Sequence, residues 1–538
     1  MRRRVVFAVV IAALLFCCVA AGGCDNNGGK TMWFETPTVK VLSDRKPGKD
    51  AQYTVYIAGN EKEGCQAVFR YDHETGPLKI EVKEPENEDG VKLGVELFKE
   101  EYVTTTYAEP FCADEKLIGQ TVMYPDGLRP FDGELPVNAN ESTPLYILFD
   151  SKDAPAGEYR TEVVAYANGE VIDRGEITVR VWNFSMPEGR TMSAVSDLGV
   201  YSIQKAEGVQ GQELTELYLK YYEFMLEHNV TPYSLPYDIL DDRADAYMDD
   251  PRVTRFRVPY SSDDNVITAY YEKLSTKQKW LEKAYFYPLD EPGDTAAFGQ
   301  VNAAAERLKK LFPEYNMVVP FFMDPDIKAG VDAIDYVSDD LNIWCPKLYC
   351  FDSENIYSAE QLISKAPFAD RMKSMRSRGD DLWWYVCWEP GDPYANLYVN
   401  MPGVKHRSIF WQAEQYGVNG FLYWSSNYWE QISDPWQDAN TVKWLSSYVY
   451  GDGSLLYSGK QVGTDGPCSS LRLEAVRDGI DDYELIRIAE EAGVREKQIR
   501  SILNKVARSI TDYSTNDLDI YNARKELGRL IEEALGSI

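Results

Sequence analysis

Histidine is scarce in this chain. Only His73, His228 and His406 occur among 538 residues, and they are far apart. A His-rich catalytic zinc centre or a Ser-His-Asp triad therefore has little to be built from. Cysteine is present nine times, but without a CxxC pair or a Cys/His ligand spacing, so neither a metal nor a cofactor is expected. Bases are also in deficit. With 56 Lys and Arg against 86 Asp and Glu, the formal charge is -30. A polyphosphate backbone would be repelled, which excludes nucleic acid as a partner. The chemistry left to the chain is that of carboxylates.

The first residues bear on the compartment. Arg2, Arg3 and Arg4 form a basic segment, and Val5 to Ala21 is apolar but too short for a comfortable membrane span. Ala21-Gly22-Gly23-Cys24 has the small-small-Cys pattern of a bacterial lipobox. The expectation is a signal peptide over 1–23, lipid attachment at Cys24, a tether over 24–30, and an extracytoplasmic protein anchored to the bacterial cell membrane. An ordinary secretory signal is the alternative. Cys65 and Cys112 are candidates for a disulfide, whereas Cys345, Cys350 and Cys387 lie in apolar strands and read as buried thiols.

Three patterns follow along the chain. Over 31–190 short alternating strands predict a β-sandwich, with Asn168-Gly169 suited to a type I′ hairpin turn. Over 191–455 eight apolar strand candidates alternate with helical stretches: Ala194–Tyr201, Thr231–Leu235, Val253–Pro259, Ala284–Asp290, Met317–Met323, Asn342–Tyr349, Leu382–Trp388 and Gly420–Trp424. That alternation predicts a (β/α)8 TIM barrel. Over 456–538 amphipathic stripes, among them Ile499-Ile502-Leu503-Val506, predict a C-terminal helical extension.

Catalytic groups of a barrel sit at the C-terminal ends of its strands. The fourth candidate ends in Tyr287-Pro288-Leu289-Asp290-Glu291-Pro292-Gly293, two adjacent carboxylates before a Pro-Gly turn. A bend there would let both acids face the cleft. The alternative is that they cap the following helix, whose N-terminus favours negative charge. Glu389, ending the seventh strand, is a second candidate acid, and Asp324 reads as a loop carboxylate.

The segment Tyr285 to Pro292, Trp383-Trp384-Tyr385 with Tyr394 and Asn396, Gly420-Phe421-Leu422-Tyr423-Trp424 with Asn427 and Trp429, and the run Arg472 to Glu484 together resemble glycoside hydrolase family 123. The resemblance implies a β-N-acetylgalactosaminidase working by substrate assistance. Glu291 would be the general acid/base and Asp290 the neighbouring orienting carboxylate. In that chemistry the substrate's acetamido oxygen attacks the anomeric carbon, and an oxazolinium ion replaces the usual glycosyl-enzyme.

The remaining site residues are assigned by chemistry. Trp344, Tyr349, Trp388 and Trp424 are candidate platforms for the apolar face of a pyranose. Tyr385 or Tyr349 would bond the acetamido carbonyl, and Asn396 and Asn427 would read hydroxyls. For each aromatic, structural packing is an equally good account. Arg472 and Arg477 are read as structural ion pairs with Asp478, Asp481 or Asp482. The expected partner is thus a glycan or glycolipid with a terminal β-linked N-acetylhexosamine. Two other readings stay open: a two-carboxylate retaining β-glycosidase using Glu291 and Glu389, and a surface lipoprotein that only binds glycan.

Overall fold

The computed structural model describes residues 31–106, 120–152, 154–432, 434–442 and 449–536. Cys24 and Cys112 lie outside them, and with them the lipid site and the Cys65–Cys112 pairing. Cys65 itself is buried on the strand Lys62–Phe69. Among the described residues no helix is long and apolar enough to cross a membrane.

The N-terminal region is sheet-rich. A five-stranded sheet and a seven-stranded sheet share an apolar core that includes Val55, Ile57 and Val179 of the first and Phe69, Ile147 and Phe149 of the second. Asn168 and Gly169 both have positive φ, 52° and 82°, and join Gly157–Ala167 to Glu170–Ser185 as the dipeptide predicts. Two strands of the seven-stranded sheet come from far downstream. Pro467–Ser470 pairs antiparallel with Thr121–Pro130, and Tyr457–Ser458 pairs with Pro467–Ser470. The chain after residue 456 is therefore not helical from its start, because these residues complete the N-terminal sheet. Three helices follow: Leu471–Glu491, Glu496–Val506 and Asp517–Ala534.

All eight expected parallel strands are present, each shorter than expected. They run Ser193–Ser196, Thr231–Pro232, Phe256–Val258, Ala284–Phe286, Val318–Phe321, Ile343–Pro346, Asp381–Val386 and Gly420–Tyr423. Proline sets several of the ends. Pro288 offers no amide hydrogen, so the fourth strand stops at Phe286 instead of reaching Asp290. Pro367 stands at the N-cap of the helix Phe368–Arg378. The ladder is also less continuous than expected. It comprises a six-stranded and a two-stranded parallel sheet, and backbone hydrogen bonds span the gaps, among them Arg257 N to Tyr233 O at 2.7 Å and Phe286 N to Asn316 O at 2.8 Å.

Strand alternation decides which side chains meet inside. Val195, Tyr285, Val318, Ile343, Cys345, Trp383, Tyr385 and Leu422 form one interior cluster, whereas Trp344, Trp384 and Phe421 face the helices. Trp383 lies across Gly420, where a Cβ would stand 2.1 Å from its Cδ1. Only glycine permits that crossing.

The helix Leu471–Glu491 joins the two halves and is buried on every side up to Ile486. Its polar residues are matched by buried charge. Arg407 bonds Asp482 at 2.6 Å and Glu63 at 2.8 Å, and Arg524 bonds Asp482 and Glu61. Arg477 pairs with Asp478, as expected, and also with Glu474, but Arg472 reaches Asp126 of the N-terminal sheet at 2.7 and 2.8 Å. Burial alone would raise the Glu63 pKa. Arg407 and Arg524 outweigh it and hold the carboxyl down at about 2.

Two outcomes follow from this packing. Glu63→Gln leaves buried guanidinium charge uncompensated and should cost about 3–5 kcal/mol in chemical denaturation. The stability from Glu63 is complete above its ordinary value of 4.5 and is lost as pH falls toward 2, so the variant should show a flatter acid limb. Gly420→Ala should lower the melting temperature, with a cost of about 1–3 kcal/mol, because fixed Trp383 must move.

Candidate active site

The C-terminal ends of the parallel strands surround a cavity of about 610 Å³. Its wall includes Asp290, Glu291, Tyr385, Trp388 and Trp424, five of the residues singled out from sequence. Tyr287 and Pro288 carry the chain out of the fourth strand, and Glu291 then adopts a φ of 38°. A left-handed φ is costly for a residue with a side chain. Here it reverses the alternation of an extended chain, so that consecutive carboxylates face the same space.

The two acids are held differently. Asp290 is exposed and accepts a hydrogen bond from Tyr287 Oη at 2.7 Å. Glu291 is half-buried, accepts from Tyr385 Oη, and has Lys347 Nζ 3.6 Å from its Oε1. Lys347 also lies 3.2 Å from Glu389 Oε2. Burial pulls the Lys347 ammonium down in pKa, but Cys387, Glu291 and Glu389 together push it above its ordinary value. It is therefore a fixed positive charge beneath the cavity. The helix after the Pro-Gly turn is capped by Asp294, whose side chain accepts from Ala297 N at 2.9 Å, so the capping role proposed for Asp290 and Glu291 belongs to another residue.

Several sequence assignments do not survive. Trp344 is buried on the helix side of its strand, bonding Asp380 at 2.8 Å, because its parity is opposite to that of Ile343 and Cys345. Asn396 is fully buried and donates to the carbonyls of Cys387 and Pro390 at 2.9 Å, thereby shaping the loop around Glu389. Asn427 clasps the backbone of Gly199 through both side-chain atoms, at 2.7 and 3.0 Å. Tyr349 sits in the short 3-10 helix Leu348–Asp352, its ring 5.8 Å from Lys347 Nζ, and is not part of the cavity wall. Glu389 is turned toward Lys347 and is likewise outside that wall. Asp324, expected in a loop, lies instead in the first turn of the helix Met323–Ala329, where it accepts from Tyr357 at 2.8 Å.

Other wall residues were not anticipated: Asp197, Tyr233, Arg257, Tyr287 and Asp452. Lys347 was missed too, although parity with Ile343 and Cys345 aims it inward, and a lysine ending an apolar strand is itself a signal. Asp452 was hidden in Gly451-Asp452-Gly453, which reads as a mere turn. The whole arrangement offers two adjacent carboxylates, the cations Lys347 and Arg257, and aromatic side chains at Trp388 and Trp424. That set can donate a proton, orient an amide and stack against a ring. Among the described residues no cluster of three or more His, Cys, Asp or Glu suits a metal ion.

Residues 203–489 match the family model described as the glycoside hydrolase 123 catalytic domain. The fold as a whole is similar to that of a family 123 glycoside hydrolase from Clostridium perfringens, a structure concerned with glycolipid glycan hydrolysis. The TM-score is 0.65 over 94% of this chain and 98% of that one, at 11% identity, so the likeness is one of fold. A family 39 glycoside hydrolase from Bacteroides cellulosilyticus WH2 also matches, at 11% identity over 82% of each chain, but its TM-score of 0.30 carries no argument. No curated protein matches the sequence. Since the catalytic-domain match takes in more than half of the chain and every parallel strand after the first, the chain belongs to glycoside hydrolase family 123.

Proposed function

We propose that this glycoside hydrolase removes a terminal β-linked N-acetylhexosamine, with N-acetylgalactosamine the preferred sugar, and that it does so with retention through an oxazolinium intermediate. The observation that carries this reading is the pair Asp290 and Glu291, consecutive in the chain yet facing one cavity. A substrate that brings its own nucleophile needs an acid/base and a group to steady the amide, and no second nucleophile. Glu291 protonates the leaving oxygen and then takes the proton of the incoming water. Asp290, its orientation fixed by Tyr287, accepts the amide N–H and stabilises the positive charge that grows on the acetamido group. Tyr385 and Lys347 position Glu291. The closed (β/α)8 barrel belongs to the same reading, supported by backbone hydrogen bonds that link the two parallel sheets across both gaps. So do the domain limits near residues 190 and 455 and the export of the chain with a lipid at Cys24. Partition of the protein into detergent, abolished by Cys24→Ala, is the expected outcome for the last of these.

The two-carboxylate alternative would need Glu389 as nucleophile, but that side chain is engaged with Lys347 outside the cavity wall. Glu291→Gln should lower kcat on a chromogenic β-N-acetylgalactosaminide by about 10²–10⁴-fold, and Asp290→Asn by about 10²–10³-fold. An unchanged affinity with no turnover in the unaltered protein would instead mark a glycan binder. A thiazoline that mimics the oxazoline should inhibit competitively, whereas a 2-fluoro glycoside should leave Glu389 unlabelled by mass spectrometry. Covalent capture on Glu389 would reverse the assignment.

A further inference from the structure

Besides the acid pair the cavity wall contains two carboxyls that the mechanism above does not use, Asp197 and Asp452, and the second is the more closely framed. Asp452 lies between two glycines with positive φ, Gly451 at 78° and Gly453 at 70°. Those glycines are required by contact as well as by conformation. A Cβ on Gly453 would stand 2.2 Å from Trp424 Cζ2, and one on Gly451 would stand 2.7 Å from Arg472 Nη1. The turn is thus pressed against the cavity's principal aromatic on one side and a buried arginine on the other. One oxygen of Asp452 is fully engaged: Oδ1 accepts from Trp424 Nε1 at 3.1 Å and from Tyr423 Oη at 3.3 Å. The other, Oδ2, is buried and has no hydrogen-bond partner among the described residues.

A buried carboxyl oxygen without a partner is expensive and rare. Here the cost falls on a residue of the cavity wall that is 1% exposed. A hydroxyl that reached Oδ2 would bond it away from bulk water, where such a bond is strong. Trp424 lines the same space, and its bond to Oδ1 fixes the orientation of its ring. A sugar stacked on that ring would present its equatorial or axial hydroxyls at the ring's edge, which is where Asp452 stands.

Resting on the substrate reading above, we propose that Asp452 is a specificity-determining residue that accepts a hydrogen bond from a ring or C6 hydroxyl of the terminal sugar, and so fixes its orientation on Trp424. Burial pushes the Asp452 carboxyl up to about 7, against the pull of the Trp424 and Tyr423 bonds and the charge of Arg472.

The test pairs deletion on the sugar with substitution on the protein. Nitrophenyl β-N-acetylgalactosaminide and its 3-, 4- and 6-deoxy analogues are assayed with the unaltered enzyme and with Asp452→Asn, whose oxygen can still accept from Trp424. One deoxy analogue should lose on the order of 10- to 100-fold in kcat/KM with the unaltered enzyme. Asp452→Asn should lose a similar factor on the parent sugar and nothing further on that analogue. If the variant loses the same factor on the parent and on every analogue, Asp452 only aims Trp424 and the inference falls. If no deletion costs the unaltered enzyme more than about threefold, it falls as well, with no variant needed. Failure of the unaltered enzyme to cleave the parent galacto or gluco sugar would overturn the substrate reading itself, and this inference with it.

Discussion

Charge taken out of water is costly unless it is matched closely, and this molecule is organised around one place where that happens on a large scale. Arg407, Arg477 and Arg524 meet Glu61, Glu63, Glu474, Asp478 and Asp482 with almost no exposure to solvent. The residues come from the N-terminal sheet, from the helix Gly403–Tyr416, and from the two long C-terminal helices. Trp411 adds a hydrogen bond to Asp482 at 2.8 Å. Such a network tolerates little relative movement of its parts, because a shift of one guanidinium strands several partners at once. Its effect is geometric: it fixes how the sheets, the parallel strands and the C-terminal helices sit against one another.

The site inherits that fixity at one remove. Arg472, one turn before Arg477 on the same helix, bonds Asp126 of the N-terminal sheet and the carbonyl of Gly451 at 2.7 Å. Gly451 precedes Asp452, which holds Trp424. The aromatic wall of the cavity is thus connected to the N-terminal sheet through a short chain of direct contacts. The opposite wall, with Asp290 and Glu291, depends on local means instead: Pro288, a left-handed residue, and bonds from Tyr287 and Tyr385.

Much of the architecture was legible because apolar runs, prolines and the Asn-Gly turn act locally. The eight parallel strands were found in order, and their true ends followed from where an amide hydrogen was missing or a helix began. Asp290 and Glu291 stand out in the sequence as two acids before Pro-Gly at a strand end, and both line the cavity. What was not legible depended on parity and on distant partners. Trp344 and Tyr385 differ only in which face of a short strand they occupy. Asn396 and Asn427 look like sugar readers until their backbone partners are known, since an amide serves a carbonyl as well as a hydroxyl. The strands Tyr457–Ser458 and Pro467–Ser470 escaped notice because each is only a few residues long and pairs with a sheet far upstream.

That last pairing bears on how the chain is made. The strand Thr121–Pro130 has an open edge until Pro467–Ser470 has been synthesised, and Asp126 has no arginine until Arg472 follows. An unpaired edge invites other strands, and a buried aspartate without its cation resists burial. The amino-terminal half thus emerges as an unfinished template, sealed by residues that arrive only near the end of translation. Loss of the residues after about 456 would leave the strand Thr121–Pro130 without its partner on one edge and Asp126 without its arginine.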